Sequence, residues 1–121
     1  MGIMPWSPLA GGFLSGKYQR GNTADTGRLS GANPFGNSKF VDRNWDILDV
    51  LKTVAAELDR PAAQVALAWL LSKPTITAPI VGATKLTQLT EALAAVEIKL
   101  TPAEVARLEE PYVPHAVAGF S

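Results

Sequence analysis

The stretch TITAPIVGAT at residues 75–84 decides the fold that the sequence predicts. Residues 75–81 are β-branched and apolar, which is typical of a buried strand in a parallel sheet. Gly82 then turns the chain into a helix, which we predict over residues 84–95. A helix that begins directly after a strand presents backbone N–H groups at its start, and these favour a ligand that carries phosphate.

The stretch WSPLAGGFLSGKY at residues 6–18 repeats this design near the start of the chain. Residues 2–6 predict a second short buried strand, which Ser7 and Pro8 end. A glycine-containing loop follows, and residues 19–43 are polar and glycine-rich without a clear period. A connection of that length is unusual in a compact domain unless it serves as a functional lid.

Between the two predicted strands the apolar residues recur at helical spacing. Asn44 is the predicted N-cap of a first helix, and Pro61 stands where a second helix should start. Pro74 ends that second helix. After the helix at residues 84–95, a capping box over residues 101–104 begins a last helix. Strands that alternate with helices in this way predict an α/β fold with a parallel sheet.

Length and composition exclude several classes of function. The chain has 121 residues, which is room for one modest domain, and its eleven basic and eleven acidic side chains balance. We therefore expect no nucleic-acid partner and no membrane partner, and no apolar run approaches the roughly 20 residues that span a bilayer. The absence of cysteine and the single histidine exclude disulfides and thiolate or multi-histidine metal sites. The first residues do not form a signal peptide, so we expect a cytoplasmic protein.

Three ordered motifs carry a resemblance to a known family. Residues 5–18 resemble the seventh strand and following loop of aldo-keto reductases, and residues 64–71 resemble the family's seventh helix. Residues 78–84, followed by Gln88 and Glu91, resemble the eighth strand and the helix after it. The resemblance covers nearly the whole chain.

This resemblance implies a (β/α)8 TIM barrel that reduces carbonyl compounds with NADPH. Such barrels usually need about 250 residues. We therefore expect residues 1–121 to be a partial NADP-dependent oxidoreductase domain, the C-terminal portion of the barrel with strands 7 and 8 and their helices. Two parallel strands leave open edges, so the isolated chain should need the missing barrel segments or self-associate.

The family's catalytic tetrad of Asp, Tyr, Lys and His is contributed from strands before the seventh. Tyr18, Lys17 and His115 have matching side chains but lie outside the tetrad motifs. We therefore assign no catalytic residue, and we expect this chain alone to be inactive. His115, with Tyr112 and Phe120, belongs either to the family's substrate loop or to an ordinary tail that covers the barrel.

The first motif implies contacts to the nicotinamide side and the pyrophosphate of the cofactor. Trp6 would lie beside the nicotinamide. The following loop would wrap the pyrophosphate, and it consists of Ser7, Pro8, Leu9, Ala10 and Gly11. Lys17 would supply a point charge for phosphate, and Arg28 would fold over the nucleotide from a lid. The alternative is an ordinary turn with a solvated lysine and a solvated arginine.

The second motif implies contacts to the adenosine half of NADP. Gly82 and Thr84 would serve the 2′-phosphate, with Lys85 attracting the same group, while Gln88 and Glu91 would contact the adenine. At 100° per residue, Thr84, Gln88 and Glu91 share one helix face. The opposite face is apolar and is expected to pack on the barrel; it comprises Leu86, Leu89, Leu93 and Val96. A plain amphipathic helix with a solvated face is the alternative, and Ala92 stands where the family often has asparagine.

These observations leave three functional hypotheses. The first is the cofactor-binding part of an aldo-keto reductase that passes hydride from NADPH to a small aldehyde or ketone. The second is a truncated, non-catalytic barrel fragment that acts only by association. The third is an NADP-binding module without chemistry.

Overall fold

A computed structural model describes residues 1–15 and 42–114 of the chain. The predictions on Lys17, Tyr18, Arg28, His115 and Phe120 lie outside these described residues.

The described residues are mostly helical. The four α-helices are α1 (Asp42–Leu58), α2 (Ala62–Leu71), α3 (Leu86–Ala94) and α4 (Pro102–Glu109). Two short 3₁₀ helices lie at Ala10–Ser15 and at Ala95–Glu97. The second of these continues α3, so the helix predicted over residues 84–95 starts two residues later than expected.

The core lies between α1, α2 and the first 3₁₀ helix. Its fully buried side chains include Leu48 and Val54 of α1 and Val65 of α2. Phe13 anchors the 3₁₀ helix to α1, because its ring stacks at a tilt on Trp45 with 5.0 Å between the ring centroids. The burial of these apolar side chains is the main contribution to the stability of such a small helical unit.

The turn between α1 and α2 is built from the residues that the sequence marks. Asp59 adopts a positive φ of 54°, and the N–H of Arg60 donates to the carbonyl of Ala55 at 3.0 Å, so the last turn of α1 is capped. Pro61 is the N-cap of α2, which confirms the predicted helix start. The predicted N-cap at Asn44 is wrong, since α1 begins at Asp42 and Asn44 lies within its first turn.

The two predicted strands, residues 2–6 and 75–81, are wrong as regular strands. The described residues contain one isolated parallel bridge, between Ile3 and Ile76, with the N–H of Thr77 donating to the carbonyl of Ile3 at 2.8 Å. Continuing this register would need an N–H from Pro5 and another from Pro79, and proline has none. The pairing therefore stops after one bridge.

One further hydrogen bond holds the two extended segments side by side. The N–H of Ile80 donates to the carbonyl of Pro5 at 3.0 Å. The segments also approach closely at Gly2, where an added Cβ would lie 2.6 Å from Oγ1 of Thr77. The parallel direction of the predicted α/β arrangement is thus present, but as a contact between extended segments beside helices.

The apolar side of α3 does not pack as predicted. Leu86 is 78% exposed and Leu93 is 63% exposed, and Leu89 and Val96 are exposed as well. Helix α3 has no buried residue. The four apolar side chains of this face are therefore exposed in the described structure, although α3 contacts α2.

Helix α4 is capped as predicted and is tied to α1 and α2. The N–H of Glu104 donates to Oγ1 of Thr101 at 3.2 Å, and the N–H of Thr101 donates to Oε1 of Glu104 at 2.8 Å, so the capping box is complete. Arg107 binds Glu57 of α1 through both guanidinium ends, at 2.5 and 3.2 Å.

The carboxylate of Glu109 connects α4 to α2. It accepts hydrogen bonds from Nζ of Lys73 and, at 2.9 Å, from Nε1 of Trp69. The hydrogen bond from Lys73 has the largest effect on the pKa of Glu109, and that from Trp69 the next largest. Both lower this pKa from its ordinary value of 4.5. The hydrogen bond from Arg107 lowers the pKa of Glu57 in the same way.

Within residues 1–15 and 42–114, no helix combines the length and the apolar character needed to cross a bilayer.

The lowered pKa of Glu109 predicts a pH dependence of stability. A carboxyl group with a lower pKa in the folded state stabilises the fold above its unfolded pKa, and this contribution is lost as the pH falls through the folded value. We expect the melting temperature to fall below pH 4.5 and to fall less steeply in Glu109→Gln. Circular dichroism melts between about pH 3 and pH 7 measure this slope.

Glu110→Gln removes the same charge one residue away and is the matched control. Its slope should follow that of the unsubstituted chain. Identical slopes for both variants would show that the Lys73–Glu109–Trp69 contact does not contribute to stability.

Candidate functional site

One cavity of about 570 Å³ brings together residues that are far apart in the sequence. Its three walls come from the segment around residues 6–15, from α2, and from residues 80–92. The lining residues are Trp6, Ser7, Pro8, Leu9, Gly12, Ser15, Ala63, Gln64, Leu67, Ile80, Val81, Gly82, Thr84, Gln88, Glu91 and Ala92. The volume lies within the range of roughly 300–1,000 Å³ that small-molecule sites occupy.

The first wall is a tight turn that is held in an uncommon conformation. Ser7 and Ala10 have positive φ angles of 56° and 53°, which non-glycine residues rarely adopt. The N–H of Ala10 donates to the carbonyl of Ser7 at 3.0 Å, and that of Gly12 donates to the carbonyl of Leu9 at 3.0 Å. Such strain costs on the order of 1–3 kcal/mol per residue and concentrates at ligand-binding turns.

Trp6 lies at the mouth of the cavity. It contributes to the lining while 78% of its surface remains exposed. An exposed indole beside a cavity offers a flat apolar face on which a ring of a ligand can stack.

The second wall is the start of α3, where the side chain of Gln88 caps the helix. Oε1 of Gln88 accepts from the N–H of Thr84 at 2.9 Å, from Oγ1 of Thr84 at 3.1 Å and from the N–H of Lys85 at 3.3 Å. Two of the N–H groups that the sequence offers to a phosphate are therefore already bonded. The N–H of Gln88 in the first turn is bonded as well, since it donates to the carbonyl of Lys85 at 3.1 Å.

The third wall comes from α2 and was missed by the sequence analysis. Ala63, Gln64 and Leu67 line the cavity, and none of them is among the predicted site residues. Helix α2 is apolar around most of its circumference, which is typical of a helix buried on two sides. The signal in the sequence was Gln64, a lone polar residue in the run AAQVALAWLL.

Gln64 is the polar group that the cavity wall leaves unsatisfied. Its side chain is 5% exposed, and Oε1 has no hydrogen-bond partner among the described residues. Leaving a buried acceptor without a donor costs roughly 1–3 kcal/mol.

The structure brings together most of the predicted site residues. Those that line the cavity are Trp6, Ser7, Pro8, Leu9, Gly82, Thr84, Gln88 and Glu91. Ala10 and Lys85 do not line it, although each adjoins a predicted site residue in the sequence. Lys17 and Arg28 lie outside the described residues.

The lining is chemically simple. Glu91 is the one charged side chain among the described residues that line the cavity. Lys85, at the start of α3, does not line the cavity but follows Thr84, which does. Residues 1–15 and 42–114 contain no cluster of His, Cys, Asp and Glu that could hold a metal ion. The arrangement suits binding of an extended, partly apolar ligand more than acid–base chemistry on it.

Tyr112 lies at a different place. It lines a second, mostly apolar cavity of about 360 Å³ on the other side of α2, together with Ile47, Trp69 and Leu108. Pro8 lines both cavities, whereas Tyr112 lines the second one and not the first.

Comparison with known proteins matches nearly the whole chain. The model of the aldo/keto reductase family matches residues 1–112. The chain is 36% identical to versiconal hemiacetal acetate reductase of Aspergillus parasiticus over 115 residues, which is 95% of this chain and 33% of that protein.

Two further relatives show the same coverage. A probable voltage-gated potassium channel subunit beta of Oryza sativa subsp. japonica is 38% identical over 113 residues, 90% of this chain and 34% of that protein. An aldo-keto reductase of Fusarium vanettenii is 33% identical over 127 aligned residues, 100% of this chain and 32% of that protein. The chain therefore spans about a third of the length of the curated relatives that it matches.

The cap at α3 predicts a measurable contribution of Gln88 to stability. Gln88→Met keeps the length of the side chain but removes the acceptor of three hydrogen bonds. Because the freed groups are exposed to water, we expect a loss of about 0.5–1 kcal/mol in the free energy of unfolding. Urea unfolding measures it.

Gln88→Glu is the matched control, since it retains an acceptor and places a negative charge at a helix N-terminus. Its stability should stay within about 0.5 kcal/mol of the unsubstituted chain. Equal losses in both variants would contradict the capping role.

Proposed function

Because this chain belongs to the aldo/keto reductase family, we propose that it is the NADP-binding, C-terminal portion of an oxidoreductase that reduces aldehydes or ketones. Family membership supports an oxidoreductase function and a (β/α)8 barrel, and the family generally uses NAD(P)H. The choice of NADP, the position of the chain in the barrel and the carbonyl substrate are the parts that we propose.

A single observation carries the proposal. Residues 6–9 and, more than 70 positions later, Gly82, Thr84, Gln88 and Glu91 line one cavity of about 570 Å³. These residues belong to the two segments that the family resemblance assigned to the two halves of one dinucleotide. Two independent motifs that converge on one cavity support a single extended ligand.

The groups in the cavity fit a dinucleotide. The strained conformation at Ser7 fits a turn whose backbone approaches the pyrophosphate of the ligand. The exposed indole of Trp6 can stack on a flat ring of the ligand. At the other end, Thr84 and Glu91 face the space where the adenosine half would lie. The buried, unpaired oxygen of Gln64 calls for a donor, which a nucleotide can supply.

The preference for NADP over NAD rests on Lys85. Lys85 is the N-cap residue of α3, and a negative charge is favoured at this helix end. The two cofactors differ by the 2′-phosphate, and a cation beside the helix start favours the one that carries it.

When bound, the cofactor supplies the hydride that reduces the carbonyl carbon. The residues of this chain bind and orient it. The group that protonates the carbonyl oxygen is expected from the family's tetrad, whose motifs this chain does not carry. Because the chain spans about a third of its relatives, the whole reaction is proposed only for this chain together with further polypeptide.

Association with further polypeptide has support from the apolar side of α3. Leu86 and Leu93 are largely exposed, and such a row of leucines on one helix face is an interaction surface more often than a solvated one. We infer that the missing barrel segments cover this face, or that copies of the chain cover it for each other. Residence in the cytoplasm stays a prediction.

The chain alone should not reduce carbonyls. General acid–base groups of the kind it lacks contribute typically about 10²–10⁴-fold to rate. Purified chain incubated with NADPH and a reactive aldehyde should consume NADPH, followed at 340 nm, no faster than the no-protein control. Turnover that follows the chain through every purification step would overturn this expectation.

Replacing Lys85 tests the cofactor assignment. The setting is a chimera in which this chain replaces the matching third of the Aspergillus parasiticus reductase. Lys85→Ala should weaken NADPH roughly ten- to a hundredfold, since a charge-assisted contact is worth about 1.5–3 kcal/mol, and should leave NADH nearly unchanged. Fluorescence titration with each cofactor gives both affinities.

Lys99→Ala removes an exposed positive charge away from the cavity and is the matched control. Glu91→Ala should weaken both cofactors alike, because adenine is common to them. Equal losses of NADPH and NADH affinity in the Lys85 variant would show that this side chain is merely solvated.

A further inference from the structure

Gln64 occupies a position where a glutamine normally bonds to its own helix. It is the third residue of α2, and a glutamine there usually accepts from the backbone N–H of the N-cap residue. In this chain the N-cap is Pro61, which has no N–H. The capping bond is therefore impossible, and the oxygen is left for another partner.

The surroundings of this oxygen leave few partners within the protein. The side chain of Gln64 is 5% exposed, and Oε1 is shielded from solvent without a donor among the described residues. Its neighbours in the cavity wall from the same helix are Ala63 and Leu67, neither of which has a side-chain donor. A buried acceptor in this state is destabilising unless a ligand or an ordered molecule satisfies it.

Helix α2 lies where a ligand in the cavity has to pass. It contacts both the first 3₁₀ helix, which follows the turn at residues 7–9, and α3, which carries Gln88 and Glu91. At neutral pH the phosphates of a nucleotide only accept hydrogen bonds. Its donors are the ribose hydroxyls and the amino and amide N–H groups.

We propose that Gln64 is a ligand-contacting residue whose side-chain oxygen accepts a hydrogen bond from an O–H or N–H group of the nucleotide in this cavity. A small rotation about the terminal torsion of the side chain, which is broad and soft, turns the oxygen toward the ligand. Binding then satisfies an acceptor that has no partner among residues 1–15 and 42–114. The inference rests on the proposed function, because it takes the ligand to be a nucleotide.

The test uses the full 121-residue chain and Gln64→Met, which keeps the shape and helix propensity of the side chain but removes its acceptor. NADPH affinity, measured by fluorescence titration, should fall roughly two- to tenfold. The melting temperature without ligand should stay the same or rise, because the substitution removes an unsatisfied buried group. A glutamine with a purely structural role would give the opposite pattern.

Two more variants complete the design. Gln64→Leu removes the acceptor with a different shape and covers the case in which the methionine variant does not fold. Ser72→Ala, at the other end of α2 and outside the cavity lining, should leave NADPH affinity unchanged.

A second probe, 2′,5′-ADP, locates the donor. A loss of affinity in Gln64→Met that persists with this probe places the donor on the adenosine half, and a loss confined to NADPH places it on the nicotinamide half. Equal NADPH affinity in the variant and the unsubstituted chain overturns the role of Gln64 alone. Absence of NADPH binding by both the unsubstituted chain and the chimera with the Aspergillus parasiticus reductase overturns the proposed function, and this inference with it.

Discussion

The burial of helix α2 on two sides is the constraint on which the rest of the described structure depends. Val65 and Ala66 pack into the core with α1, while Leu67, 3% exposed, lines the cavity on the other side. A helix that is apolar around its circumference can be stable in water only when both sides are covered. The same packing that stabilises the fold therefore also positions the cavity wall that α2 forms.

Proline sets the second constraint, through the hydrogen bonds that it cannot make. Pro5 and Pro79 stop the parallel pairing after the bridge between Ile3 and Ile76. The bond from Ile80 to the carbonyl of Pro5 then holds the two segments at the point where both enter the cavity lining. The walls of the site are thus joined by two isolated points of pairing rather than by a continuous sheet.

The sequence predicted those parts of the structure that local chemistry determines. Pro61 and the capping box at residues 101–104 mark helix starts because their effect depends only on neighbouring backbone groups. The strands at residues 2–6 and 75–81 were predicted from side-chain character, which does not count the N–H groups that a ladder requires. Several residues of both motifs line one cavity, and each motif carries its own turn, while their contacts to a cofactor stay a prediction.

Contacts between elements that lie far apart in the sequence could not be predicted in the same way. The contribution of α2 to the cavity depends on which of its two apolar sides faces α1, and periodicity does not distinguish them when both are apolar. The exposure of Leu86 and Leu93 also depends on what lies beyond the helix, whereas their spacing predicts only that they share a face. Sequence patterns thus fix the elements better than the surfaces between them.

Two glutamines show how one backbone atom decides whether a glutamine side chain can cap its own helix. Gln64 and Gln88 each stand third in their helix, and both line the cavity. Gln88 follows an N-cap lysine, whose N–H it accepts, and it reaches the N–H of Thr84 as well. Gln64 follows an N-cap proline, and its oxygen has no donor in the part of the chain that the structure describes. The same side chain therefore closes a helix end in one wall, and in the other it remains available to a bound molecule.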